Sequence, residues 1–187
     1  KTMTKYLDTS VSVTYSADLP VTVATAKQHL RVTHSSEDAL IELYLRAAIR
    51  VVEENAHITL LESTVTQIFD AMPAPGQYLD LSLPLTSLTS MSYNTVEAPA
   101  DFTTFTGGVI DAGYNRPRIY APDGWPDGWQ FKVIYASGYT AETIPKPLIV
   151  AVLLTLSDMY ENRTDSVKQL PTAVDHLIQP FKEMSKI

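Results

Sequence analysis

The sequence contains no cysteine, which excludes disulfide bonds and thiolate metal ligands. Glycine is scarce, and Gly107-Gly108 leads into no Lys-Ser/Thr pair of the kind that closes a phosphate loop. There is also no Gly-x-Ser-x-Gly motif of hydrolases. His29 and His34 stand five residues apart, off a common helix face, so they make a poor metal pair. We therefore predict no catalytic residue, no metal site and no cofactor.

Positive charge and long apolar runs are also scarce. Lys and Arg number 14 against 21 Asp and Glu, a net charge of -7, which argues against tight binding of nucleic acid, because such binding needs clustered Lys and Arg to displace counterions. The longest apolar run, Leu148–Leu154, is far shorter than the roughly 20 residues that cross a bilayer, so no membrane partner is expected. The remaining composition, 45% hydrophobic and 19% charged, predicts a globular chain that buries its own core.

Two helices are predicted in the first third of the chain. The first covers Val23–Val32, with Thr22 as its cap. The second follows Ser35, a candidate N-cap. Its apolar residues recur at three- and four-residue steps: Leu40, Ile41, Tyr44, Leu45, Ala48, Val51 and Val52. Its opposite face is expected to be charged and exposed, with Glu42, Arg46, Arg50 and Glu53.

The middle of the chain alternates with a period of two, the pattern of half-buried strands. The clearest strands include Leu79, Leu81 and Leu83, then Met91 and Tyr93, then Phe131, Val133 and Tyr135. Weaker strands are predicted at Ser63–Asp70, Val109–Asp111 and Arg118–Tyr120. Together these strands predict a small antiparallel β domain.

Helical patterns return after Pro145. Pro147 suits a first turn, and Leu148–Leu154 is apolar on all sides. This helix is therefore expected to be largely enclosed, either by its own domain or by a neighbour. After a polar stretch, a short amphipathic helix carries Val174, Leu177, Ile178 and Phe181 on one side. Pro180 is expected to end or kink that helix.

The order of helices, strands and helices predicts an α+β fold. In it, a discontinuous helical bundle of N-terminal and C-terminal helices carries an inserted small antiparallel β domain. We expect an N-terminal arm or edge strand over 1–19, the bundle over 20–60 and 141–187, and the β domain over 61–140. The C-terminal arm of the bundle is expected to begin at about 164.

The string Asp123–Trp129 contains two Asp-Gly pairs and two tryptophans. It admits a sugar-stacking or calcium loop, but Asp-Gly is typical of tight turns, so a turn between strands is favoured. Trp125 and Trp129 are also candidates for a subunit contact.

Several strings stand in order over residues 21 to 182. They are Thr25–Val32, Glu37–Ile41, Ala47–Glu53, Leu83–Tyr93, Tyr135–Tyr139 with Ile144-Pro145, Tyr160–Arg163, Leu170-Pro171 and Leu177–Phe181. In this order and spacing the sequence resembles the head–tail connector (adaptor) proteins of tailed bacteriophages, a family also found in phage-like gene-transfer agents. Met159 departs from an expected Trp, and His57 from a frequent Gly.

The resemblance implies a structural subunit and not an enzyme. Identical copies, with twelve the expected number, would form a ring under the portal protein at the capsid vertex. DNA would pass through the bore without sequence-specific binding, and a stopper or another tail-side neck protein would bind below. The protein would be made in the host cytoplasm and reside in the neck of the virion.

Two surfaces are candidates for these contacts. A ring needs one face of a subunit to meet a different face of the next. Subunit-interface candidates are Glu42, Arg46, Arg50, Glu53, Trp125 and Trp129, with plain solvent exposure as the alternative for the charged four. Portal-binding candidates, on an arm that would order on docking, are Leu170, Leu177, Ile178 and Phe181. The alternative is that this last helix packs on its own subunit.

Two other functions remain open from the sequence. One is a different neck component, such as a stopper or tail-completion protein. The other is a small enzyme or sugar-binding module that uses the Asp123–Trp129 loop.

Overall fold

The computed structural model describes residues 9–15, 18–81, 84–95, 101–111, 117–163 and 172–186. The chain divides into two compact units. One unit comprises Lys1–Tyr15 and Glu62–Gly138 and contains the strands. The other comprises Ser16–Leu61 and Tyr139–Ile187 and contains the helices. The predicted α+β class is confirmed.

The helical unit consists of α1 (Val23–Leu30), α2 (Asp38–Ala56), α3 (Lys146–Glu161) and α4 (Thr172–Lys186). The start of α1 is as predicted, because the Thr22 hydroxyl oxygen accepts a hydrogen bond from the Thr25 N–H at 3.1 Å. The helix ends two residues earlier than expected, where Arg31 adopts a left-handed conformation.

The ends of α2 differ from the prediction. Glu37, and not Ser35, precedes the first helical residue, and it makes no side-chain cap. Ser35 contributes only its backbone carbonyl, which accepts the Asp38 N–H at 3.3 Å. At the other end, His57 turns the chain with a φ of 55°, the conformation that usually selects glycine.

The core of the helical unit is built from one stripe of each long helix. Helix α2 packs against the other three helices, and α3 also packs against α1 and α4. Fully buried side chains include Ile41, Leu45, Val52, Leu148, Val152, Leu156 and Ile178. The apolar run of α3 is largely enclosed by its own unit, with Leu148, Ala151 and Val152 fully buried. Val150 is 45% exposed, so its cover by a neighbouring molecule stays a prediction.

The β unit contains two antiparallel sheets. Its strands are β1 (Thr9–Thr14), β2 (Ser63–Phe69), β3 (Leu79–Asp80), β4 (Leu85–Asn94), β5 (Thr103–Thr104), β6 (Val109–Asp111), β7 (Arg118–Tyr120) and β8 (Gln130–Ser137). The first sheet has the order β1-β2-β8-β4-β5, and the second has the order β3-β7-β6. The weaker predicted strands are therefore present. The predicted Leu79–Leu83 strand is shorter than expected, because only Leu79 and Asp80 pair with β7; Leu83 lies outside the described residues.

Side chains from both sheets form one core in the β unit. Alternate residues of β8, Phe131, Val133 and Tyr135, are fully buried, as the period of two predicted. The Tyr135 hydroxyl donates a hydrogen bond to the Gln67 side-chain oxygen at 3.0 Å. Each of these buried polar groups therefore has a partner, and the free-energy penalty of an unpaired buried group is avoided.

Candidate functional site

The middle of α2 has the exposed charged face that the sequence predicted. Arg46 donates a hydrogen bond to Glu42 one turn earlier at 2.7 Å, and the two side chains are 47% and 44% exposed. A pair of this kind stabilises a helix by a few tenths of a kcal/mol, about 0.3 to 0.5 kcal/mol. Both groups remain accessible to a partner, as the interface prediction requires.

Glu53 is placed differently from the prediction. Its side chain is buried, where it accepts the Leu60 N–H at 2.8 Å and pairs with Arg50. Burial raises the pKa of Glu53, while the Leu60 N–H and Arg50 oppose that rise. The expected exposed position is wrong because the turn at His57 brings the following segment back over the last turn of α2. Glu53 therefore holds the end of α2 and the Arg50 side chain in place.

A second polar cluster joins the start of α2 to the end of α3. The Glu37 carboxylate accepts hydrogen bonds from the Tyr160 hydroxyl and, at 3.1 Å, from the Arg163 guanidinium. The Tyr160 hydroxyl and then Arg163 lower the pKa of Glu37. In the sequence, Glu37 stands out only as the first residue of the Glu37–Ile41 string. The only signal toward this cluster was the Tyr160–Arg163 string, which does not indicate a partner so distant in sequence.

Helix α4 packs on its own unit. Val174 and Ile178 are fully buried, while Leu177 and Phe181 are only half-buried. In this structure the alternative interpretation applies: Ile178 is a core residue, and the helix lies against α2 and α3. Pro180 does not end the helix, which continues to Lys186. Leu170 lies outside the described residues.

The two tryptophans of the Asp123–Trp129 turn have different environments. Trp125 is half-buried, donates its indole N–H to the Gln77 carbonyl at 3.1 Å, and lies edge-on to Phe131 with ring centroids 5.1 Å apart. Trp129 is 48% exposed, so its ring is available to another molecule. The segment connects β7 to β8, as the turn interpretation predicts.

Close packing fixes the backbone of this turn. The Trp129 N–H donates to the Asn94 carbonyl at 2.8 Å. A Cβ atom at Gly128 would lie 2.6 Å from the same carbonyl oxygen, so only glycine fits here without a shift. The turn is therefore held against β4, which gives the exposed Trp129 ring a defined position.

In the described parts of the chain, no three His, Asp or Glu side chains come close enough to hold a metal ion. Within the same ranges, none of the helices is both long enough and apolar enough to cross a membrane.

Comparison with known proteins identifies the family. The family model described as phage gp6-like head-tail connector protein matches residues 20–116, which is more than half of the chain. The chain belongs to this head–tail connector family. The predicted family is thus confirmed, and so is the prediction of a structural connector and not an enzyme. A comparison with curated protein sequences gives no match.

Solved structures with the same fold include chains of gene transfer agent particles. A chain from the neck of an empty particle, computed with C6 symmetry, is 24% identical with a TM-score of 0.76 over 91% of this chain and 95% of that one. A chain from the neck of a native particle, computed with C12 symmetry, is 24% identical with a TM-score of 0.71, covering 92% and 94%. A chain from the virion of the native particle is 22% identical with a TM-score of 0.70, covering 91% and 94%. This connector therefore shares its fold with these chains over 91% to 92% of its length.

Proposed function

We propose that this head–tail connector is the subunit of a ring in the neck of a phage or phage-like particle, where it joins the portal at the capsid vertex to the tail. Family membership carries the proposal, and the fold likeness to neck chains computed with C6 and C12 symmetry supports a ring of twelve copies. Identical copies around a symmetry axis need a heterologous contact that closes.

The exposed groups of α2 and the β7–β8 turn supply candidate subunit contacts. Glu42, Arg46 and Arg50 present charges that would set the register of neighbouring copies more than their affinity. Glu53 would act indirectly by positioning Arg50. Trp129 would act directly through its exposed ring, and Trp125 would hold the turn that presents it.

The portal contact is assigned to the C-terminal segment, in a more limited form than the sequence suggested. Leu177 and Phe181 are half-buried, so part of each side chain is accessible on α4. Ile178 would contribute through the packing of the helix, because it is fully buried. Leu170, which lies outside the described residues, stays a candidate from the sequence alone. A stopper or another tail-side neck protein would bind the opposite end of the ring.

The acidic balance of the chain suits a channel for DNA. With a net charge of -7, a bore lined by acidic groups would repel the DNA backbone and let it pass without sequence-specific binding. The identity of the acidic residues in the bore depends on how the copies are arranged.

The test is to mix the purified chain with the portal protein of its own particle and to measure the mass of the complex by native mass spectrometry. We expect the mass to rise by twelve times the 20.7 kDa of one chain. Trp129→Ser should reduce ring formation, while the matched control Tyr78→Ser, which removes another half-exposed ring of the β unit, should not. A complex of one chain per portal, or no complex, would refute the proposed function.

A further inference from the structure

The first strand of the β unit leaves one edge of the main sheet open. Among the described residues only β2 pairs with β1, through six residues in regular register. The sequence of β1, Thr-Ser-Val-Ser-Val-Thr, contains no charge and no proline. Natural proteins protect open edges with charges, prolines or bulges, because an unprotected edge pairs with other chains. An edge without any of these devices is expected to be covered in the assembled protein.

The opposite end of the same sheet is also incompletely covered. Strand β5 pairs with β4 only at Ser92 and Tyr93, and the Phe105 N–H adds one bond to the Met91 carbonyl. In the described parts of the chain, no strand pairs with the outer side of β4 over Leu85–Ser90. That stretch, Leu-Thr-Ser-Leu-Thr-Ser, is again uncharged and free of proline; two bulges interrupt it, and Ser87 and Leu88 between them pair regularly with β8.

The two open edges match in direction and length. Three antiparallel steps separate β1 from β4 in the sheet, so the two strands run in opposite directions. A second copy that continues the sheet would therefore bring its β1 antiparallel to β4 of the first copy. Both stretches have six residues, and neither edge has a charge to desolvate or to repel the other.

The side chains at the two edges also match. Val11 lies opposite buried Gln67 and so faces the core side of the sheet, yet it is 53% exposed because no strand flanks it. Leu88 lies opposite buried Tyr135 on the same side and is only half-buried. Ser87 and Leu88 lie between two bulges and are the part of this stretch with regular strand geometry, so an added strand would align with them.

We propose that β1 of one copy adds to the outer edge of β4, at Leu85–Ser90, of the next copy. Val11 then lies opposite Leu88, and Ser12 lies opposite Ser87. The contact is heterologous, since two different edges meet, and it is the kind that closes a ring. It rests on the proposed ring and adds the surface that joins its subunits. Main-chain hydrogen bonds provide the affinity, and the apolar pair sets the register.

The absence of cysteine allows a direct test on the full chain. The double variant Ser12→Cys with Ser87→Cys places one thiol on each edge, within reach of a disulfide if the two residues are directly opposed. Mild oxidation should produce a ladder of covalent multimers under denaturing conditions. Each single variant should give no ladder. The matched control, Ser12→Cys with Thr33→Cys, pairs the β1 thiol with an exposed position of the helical unit and should stay monomeric.

A second pair of variants tests the edge without disulfides. Val11→Lys places a charge in the proposed junction and should raise the concentration for half-maximal ring assembly about tenfold or more. Val109→Lys, at a valine of similar exposure in the other sheet, should leave assembly unchanged. Circular dichroism of both variants should match the parent.

The outcomes separate this pairing from the ring itself. Rings from the parent chain without a ladder, and with normal assembly of Val11→Lys, would overturn the edge pairing while the proposed function stands. Dimers from Ser12→Cys alone would show that β1 pairs with β1, which also overturns it. A chain that stays monomeric, alone and with its portal, would overturn both proposals.

Discussion

Among the single residues, His57 occupies a left-handed position at the end of α2 that glycine usually occupies. It ends α2 with a φ of 55°, a conformation that costs about 1 kcal/mol for a residue with a Cβ. His57→Gly should therefore be more stable than His57→Ala by about 1 kcal/mol, as measured by urea unfolding. The same pair of substitutions at Leu43, an exposed residue inside α2, should show the opposite order, because glycine weakens a helix interior. Equal stabilities at position 57 would contradict a strained turn.

Glu53 carries a charge in a buried position, and this makes its contribution dependent on pH. Because burial raises the pKa of Glu53 above its unfolded value, the folded state holds the proton more tightly than the unfolded state. The contribution of this group to stability is therefore fully present below the unfolded pKa and is lost as the pH rises through the folded pKa.

Two substitutions separate the charge of Glu53 from its hydrogen bond. Glu53→Gln keeps an acceptor for the Leu60 N–H, so the free energy of unfolding should stay within about 1 kcal/mol of the parent near neutral pH. Glu53→Ala leaves that N–H without a partner and should cost about 2 kcal/mol. Relative to the parent, Glu53→Gln should gain stability as the pH rises above about 4, the ordinary range of a glutamate pKa, because the parent must then hold a charge in a buried position. A difference that stays constant with pH would show that the charge of Glu53 plays no part.

Among the elements, α4 combines a core side with a partly exposed side. Ile178→Ala removes a fully buried side chain and should destabilise the chain by about 2 to 5 kcal/mol. Phe181→Ser changes a half-buried position and should weaken capture by immobilised portal protein with a smaller loss of stability. If Phe181→Ser binds the portal as the parent does, α4 serves only as part of the bundle.

The helices and strands could be predicted from periodicity because their burial is local to each element. Phe131, Val133 and Tyr135 alternate with half-buried neighbours, and β8 follows from that pattern alone. Contacts between distant segments could not be predicted in this way. Glu53 binds the Leu60 N–H only because the chain turns at His57, and Glu37 meets Tyr160 only because α2 packs against α3. The sheet order, with β8 between β2 and β4, likewise depends on long-range pairing.

The apolar pattern of the C-terminal helix is confirmed, but that pattern alone could not distinguish core packing from portal binding. Apolar spacing placed Val174 and Ile178 on one side, and the structure buries both. The same stripe fits a partner's groove or the chain's own bundle, because burial stabilises an apolar side chain equally well in either place. The expectation that Pro180 ends the helix is wrong, because tertiary packing can outweigh local propensity and α4 continues to Lys186; the alternative expectation of a kink stays a prediction.

For the molecule as a whole, the net charge predicts weak interaction with DNA. The assembled connector should not retard duplex DNA in a mobility assay at physiological salt, because no excess of Lys and Arg is available to release counterions. Retardation that disappears steeply with added salt would indicate a basic DNA-binding surface, and this would contradict a channel that lets DNA pass without binding it.

The most direct measurement is a cryo-electron microscopy reconstruction of the connector bound to its portal. It should show a closed ring of twelve copies under the portal, with each copy containing both the helical unit and the β unit and an open channel along the symmetry axis. A single copy attached to the side of the portal, or a ring without a central channel, would contradict the account.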